Sequence, residues 1–171
     1  YSMQLNVNLL FIYLKENLVN LPKPTSKNNT TNIWKWLKQV IAKPRKRLGG
    51  HAICPYLQEY MDHIGLVHSY TPMLVAENFA TFNRVFGLEA IIVYGFNWDF
   101  DTVHKEVDAI NKKLKSKDVE CLAMCPDSEG APFNINYNYT EPLIILQKRS
   151  TLQEKRNHLA KMTDYYTYYN R

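Results

Sequence analysis

An α/β fold is predicted by three observations on this chain. Two short apolar runs, Glu89-Ala90-Ile91-Ile92-Val93-Tyr94-Gly95 and Leu143-Ile144-Ile145-Leu146-Gln147, have the length and aliphatic content of buried strands. Between them Phe100, Val103, Val107, Ile110 and Leu114 recur at helical spacing. Strand-like and helix-like patterns interleave rather than segregate, which is the mark of α/β architectures.

Taken in order, the elements begin with a helix over 32–43. Asn32 is placed to cap it, and Ile33, Trp36 or Leu37, Val40 and Ile41 fall on one face. Pro44 and Arg45-Lys46-Arg47 end it, and Gly49-Gly50 turn the chain. A second helix is expected from Pro55, since proline suits the first helical position, to near Gly65. Residues 66–74 read as a strand that ends or becomes an edge at Pro72. Ala76 to Phe86 reads as a helix with Gly87 at its C-terminal turn. After the first apolar run, Asp99 or Asp101 caps a helix that extends to about Lys117, with a lysine-rich end that suits its dipole. Val119 to Cys125 is a strand, Pro126 to Glu141 a long loop, and Leu143 to Gln147 a strand. A last helix is capped by Ser150 or Thr151, with Leu152, Leu159 and Met162 facing inward. This order suits a ferredoxin-like α/β sandwich with extra N-terminal helices; a thioredoxin-like or small doubly wound sheet is the alternative.

At 171 residues and 46% hydrophobic, the chain suits one domain with a sizeable core. Residues 1–31 read as an N-terminal extension and linker, and 32–171 as a single α/β domain. The run Leu9 to Leu14 is too short to span a membrane and lacks the flanks of a signal peptide, so no membrane partner is expected. Three cysteines are too few and odd in number for a disulfide framework, which points to a reducing, cytoplasmic setting. The net charge of +5 permits nucleic-acid binding without arguing for it. The sequence names no cofactor and no oligomeric state.

Chemistry concentrates at Gly49-Gly50-His51-Ala52-Ile53-Cys54-Pro55-Tyr56, where a thiol stands before a proline that can open a helix. Cys54-Pro55-Tyr56 resembles the Cys-Pro-Tyr of glutaredoxins, but Leu57 stands where their second cysteine would be. Cys121 and Cys125 share a strand face, and with His51 and Cys54 they make up the residue types of a zinc site. Their spacing matches no finger or ribbon, and plain core cysteines are the simpler expectation. Glu59 and His63, one helical turn apart, could clip a metal, and Asp99 and Asp101 could pair on one; an ion pair and helix capping explain them more simply. Trp34, Lys35, Trp36, Lys38, Lys43, Arg45, Lys46 and Arg47 mix aromatics and cations as a single-strand-binding face does, though a buried Trp36 with solvated lysines gives the same pattern. The loop 126–141 is long for a compact domain, and loops of that length are often functional. Among its polar groups Asp127, Asn136, Asn138, Tyr139 and Thr140 are candidate ligand contacts.

With these pieces placed, the chain resembles an uncharacterised bacterial family of small domains. The resemblance rests on Trp36-Leu37, Cys54-Pro55-Tyr56, Asp99-Phe100, Pro126-Asp127 and the segment Asn138 to Leu146, across about residues 32–162. Cys125 departs from the pattern, which has a histidine before Pro-Asp. The resemblance implies a common fold and a common pocket, and no reaction.

The functional expectation is therefore a small enzyme or ligand-binding domain. Its pocket combines Cys54 as nucleophile or ligand, His51 as its base, Asp127 as an acidic or orienting group, and the 126–141 loop with Asn136, Asn138, Tyr139 and Thr140. The alternative is a nucleic-acid or protein interaction module using the 34–47 face.

Overall fold

The computed structural model describes residues 28–69, 71–125 and 139–169. Its chain order is α1 (Asn28–Trp36), a π turn (Leu37–Ile41), a 3-10 turn (Lys46–Leu48), α2 (Leu57–Tyr60) with a 3-10 extension (Met61–His63), then β1 (Ile64–His68). There follow α3 (Pro72–Glu77), α4 (Phe79–Phe86), β2 (Ala90–Tyr94), α5 (Phe100–Lys113), β3 (Glu120–Met124), β4 (Leu143–Gln147), α6 (Arg149–Met162) and α7 (Tyr165–Tyr169).

The α/β class is as expected. The sheet runs β1-β2-β4-β3, with β1 parallel to β2 and β4 antiparallel to both its neighbours. The parallel β1–β2 pair needs a crossover, which α3 and α4 supply. A ferredoxin-like sandwich inserts a strand between such a pair and gathers its helices on one face. Here β1 and β2 are direct neighbours, and helices cover both faces.

The two faces follow from the two-residue side-chain period. Ile91, Val93, Ile144, Leu146 and Cys121 point to one side, where Phe79 and Phe82 of α4 and Val103, Val107 and Ile110 of α5 bury them. Ile64, Ile92 and Leu143 point to the other, against Ile33, Trp36, Leu37 and Ile41 of the first helix. A strand loaded on both faces must be apolar throughout, which is why Ala90–Tyr94 reads as a continuous run.

Several boundaries match their local signals. Gly87 ends α4 in the left-handed region at φ 65°, and its N–H donates to the Asn83 carbonyl. Asp99 caps α5 by accepting the Thr102 N–H at 2.8 Å.

Other expectations need correction. Helix α1 already spans Asn32, so that residue is no cap. Pro55 lies in a turn, helix α2 starts at Leu57, and Gly65 belongs to β1. Pro72 opens α3 instead of closing a strand, because proline at a first helical position loses no hydrogen bond. Phe100 and Met162 were expected inward but are 41% and 69% exposed. Each is the terminal residue of its helix, Phe100 the first of α5 and Met162 the last of α6. Ser150 sits inside α6, and it is Asp118 that accepts its N–H at 2.7 Å and its Oγ–H at 2.6 Å.

Candidate functional site

The first helix does not stop at Trp36 but widens into a π turn, closed by the Ala42 N–H donating to the Leu37 carbonyl at 2.9 Å. Such widened turns recur at functional sites. Here the turn leaves the Ile41 carbonyl free to accept the Cys54 N–H at 3.1 Å. That bond ties the Cys54 segment to the end of the helix. The Cys54 carbonyl in turn accepts the Leu57 N–H at 3.1 Å, so the chain passes Pro55-Tyr56 as a tight turn.

Cys54 lines a cavity of about 530 Å³. Its floor is the sheet face carrying Ile64, Ala90, Ile92, Leu122, Met124 and Ile145. Trp36, Leu37 and Ile41 form one wall, Ile53 to Leu57 a second, and Leu152, Lys155, Arg156 and Leu159 of α6 a third. Tyr165 and Tyr166, at the start of α7, complete it. The volume lies within the ~300–1,000 Å³ range of small-molecule sites, and the mostly apolar walls are typical of them.

Cys54 presents surface to solvent, yet protein surrounds its thiol on most sides. Desolvation pushes the thiol pKa up, against the smaller opposing pull of hydrogen bonds from the Tyr56 and Leu57 backbone. A raised pKa means less thiolate at neutral pH, the opposite of the shift that activates a nucleophilic cysteine. With iodoacetamide at pH 7.5, folded protein is expected to modify at Cys54 several-fold more slowly than free cysteine. The rate should keep rising beyond pH ~9.5, where a free thiol of pKa ~8.5 levels off. Mass spectrometry of the labelled peptide reads this directly, and a rate at or above that of free cysteine would reverse the assignment.

His51 was expected as the base for Cys54, and the structure gives it another partner. Its Nε2 lies 2.8 Å from Asp164 Oδ1, and its ring meets Tyr165 edge-on at 5.7 Å. The hydrogen bond from His51 holds the Asp164 carboxyl below the usual range. His51 is not among the residues lining the cavity. It fastens the start of α7, where the Tyr165 hydroxyl also donates to the Ile53 carbonyl at 2.6 Å. Gly49 belongs to the same seam: at φ 63° it lies under the Tyr168 ring, where a Cβ would fall 2.5 Å from Tyr168 Cε2. The glycine-rich approach to Cys54 thus seats the C-terminal helix and leaves the cavity wall to Ile53-Cys54-Pro55-Tyr56.

Of the loop candidates, Asp127, Asn136 and Asn138 lie outside the described residues. Tyr139 is buried, its ring 5.5 Å from Trp36, and it belongs to the core beneath the first helix. Thr140 is exposed.

Cys121 and Cys125 do share a face, but it is the face opposite the cavity, under α4 and α5. Burial pushes the Cys121 thiol up to about 12. The sheet therefore separates these cysteines from Cys54, and no zinc set of His51, Cys54, Cys121 and Cys125 forms. No cluster of three metal-ligating side chains occurs among the described residues. Glu59 pairs with Lys155, and His63 Nδ1 donates to the Gly87 carbonyl at 3.0 Å. Asp99 is engaged in its cap, where hydrogen bonds from the Thr102 side chain and backbone hold the carboxyl low. The aromatic and basic stretch divides between the core and solvent, with Arg45 half-buried and its Nη2 donating to the Val40 carbonyl at 3.2 Å. Trp36 is core, Trp34 packs half-buried against it, and Lys35, Lys38, Lys43, Lys46 and Arg47 are exposed. No helix among the described residues is long and apolar enough to cross a membrane.

Sequence reasoning missed the α6 side of the cavity. The Lys155 ammonium sits 4.7 Å from the Tyr56 ring centroid and 5.1 Å from that of Tyr60. Its pKa is raised, first by a hydrogen bond to the Tyr60 side chain. Nothing local marks this lysine among 21 cationic residues. Only the proximity of Tyr56 to α6 could reveal it, and that is a long-range contact.

No family model matches this chain, and neither a curated protein nor a solved structure does. The short motifs behind the bacterial-family resemblance are unevenly placed. Trp36-Leu37, Cys54-Pro55-Tyr56 and Ile145 line one cavity, whereas Asp99 caps α5 away from its lining.

Proposed function

We propose that this chain is a small-ligand-binding domain whose ligand occupies the cavity beside Cys54. One observation carries the reading: Cys54 opens onto about 530 Å³ of space walled by Trp36, the sheet face and α6. The apolar lining favours a molecule with substantial hydrocarbon or aromatic surface, since burying such surface is worth roughly 25 cal/mol per Å². A thiol whose pKa is raised by burial favours binding over thiolate chemistry, and with Trp36 buried and Trp34 half-buried the 34–47 face offers no fully exposed aromatic for stacking on nucleic acid.

Nile red, a neutral apolar dye, provides the test. The protein should bind one equivalent with enhanced fluorescence, and bound dye should slow iodoacetamide labelling of Cys54. Ala90→Trp, which builds an indole into the cavity floor, should weaken binding at least tenfold while circular dichroism remains native. Binding that survives Ala90→Trp and leaves Cys54 labelling unchanged would place the dye elsewhere and overturn the proposal.

A further inference from the structure

We infer that the molecule held in this cavity is an amphipathic anion, an apolar body ending in a carboxylate-like group that faces Lys155 and Arg156. The inference rests on the ligand-binding reading above and specifies the class of ligand.

The first argument is how charge is distributed on the walls. Lys148, Lys155 and Arg156 line the cavity, against Glu89 alone. All three cations come from α6 or the residue before it, whereas the sheet floor and the first helix contribute hydrocarbon. Glu89 is already engaged: its Oε2 accepts the Thr151 hydroxyl at 2.9 Å and its Oε1 accepts from Asn83 Nδ2 at 3.4 Å. The cavity therefore has an apolar side and a positive side.

The second argument is how loosely these cations are paired. Lys148 stands 3.9 Å from Glu89, Lys155 3.6 Å from Glu59, and Arg156 3.5 Å from Glu120. Charge-assisted hydrogen bonds close to about 2.7–2.9 Å, so each cation keeps donor capacity for a better-placed anion. Glu59 is 62% exposed, so water screens its hold on Lys155.

The third argument is preorganisation. The rings of Tyr56 and Tyr60 steady the Lys155 ammonium, and its side chain is only 22% exposed. A lysine already fixed by two aromatic faces loses less freedom on meeting an anion than a surface lysine does. The walls also tell against a polyphosphate: the chain has no phosphate-cradling glycine loop, and the space beside the cations is hydrocarbon.

Decanoate and decanol, matched in chain and different in charge, test this by displacing Nile red at pH 8. Decanoate is expected to compete about tenfold more strongly than decanol. Lys155→Met, which keeps an apolar stem, should bring the two within about twofold, and Lys155→Arg should retain the preference. Equal competition by both in the unaltered protein would overturn the anion assignment and leave the cavity reading intact. Failure of Nile red to bind would overturn both. A decanoate preference that survives Lys155→Met would remove Lys155 from the assignment.

Discussion

Trp36→Ala is expected to lower the unfolding free energy by about 3–5 kcal/mol, as for other large-to-small aromatic truncations in cores. The residue is 7% exposed although it lies on the helix that opens the described chain. Its ring packs at 5.5 Å and 59° against Tyr139, and the same cluster includes Leu37, Ile92 and Leu143. The substitution removes an indole from the joint between the first helix and the sheet. It should also open the cavity wall, because Trp36 lines that space. Urea titration reads the change as a lower midpoint at an unchanged slope. Trp34→Ala, at a half-buried position, is the control and should cost clearly less. A loss below ~1 kcal/mol for Trp36→Ala would show that the first helix is an appendage, and the cavity would then lack a fixed wall.

A second large effect is expected at Asn111, a polar residue that no sequence pattern marks. Strand β3 is an edge, paired only with β4. In an antiparallel ladder alternate residues turn both backbone groups away from the partner strand, and at an edge those groups lack a ladder bond. At Cys121 the Asn111 side chain takes the place of the missing strand. Its Oδ1 accepts the Cys121 N–H at 2.9 Å, and its Nδ2 donates to the Cys121 carbonyl at 2.9 Å. Asn111→Leu keeps the approximate volume and strips both bonds, at an expected cost of about 2–3 kcal/mol, most of it from leaving two partly buried backbone groups unpaired. Asn111→Asp should cost a similar amount at pH 7, because its carboxylate can accept the N–H but repels the carbonyl. Relative to the unaltered protein at the same pH, that deficit should shrink as the pH falls toward ~4, where the protonated acid regains a donor. Hydrogen exchange at the Cys121 amide should accelerate in both variants. An unchanged exchange rate would remove Asn111 from its edge-sealing role.

The two predictions differ in how readable their residues are. Trp36 recurs with Ile33, Val40 and Ile41 at helical spacing, and a periodic face is a short-range property of the chain. Asn111 lies on the same helix as Val103, Val107 and Ile110, and its own neighbourhood gives it no distinction. Its role depends on β3 being an edge, and the order β1-β2-β4-β3 is settled by which strands pair across long separations in sequence. The same contrast separates the halves of the candidate site. Cys54-Pro55-Tyr56 was legible as a place for a thiol. Its surroundings are not legible there, because helix α2 starts later than Pro55 and His51 bonds to Asp164, far along the chain. The four-residue spacing of Cys121 and Cys125 puts them on one face, but only the sheet shows that Cys54 lies across it.

By itself, the sequence determined the α/β class, the strands around Ile91 and Ile144, a cap at Asp99 or Asp101 and the Gly87 stop. Each rests on side-chain period or backbone preference within a few residues. Only the tertiary structure decided the strand order, the helices on both faces, the cavity beside Cys54 and the placing of Lys155 between Tyr56 and Tyr60. Those features depend on contacts between residues distant in sequence, and no local spacing encodes which distant surfaces bury one another.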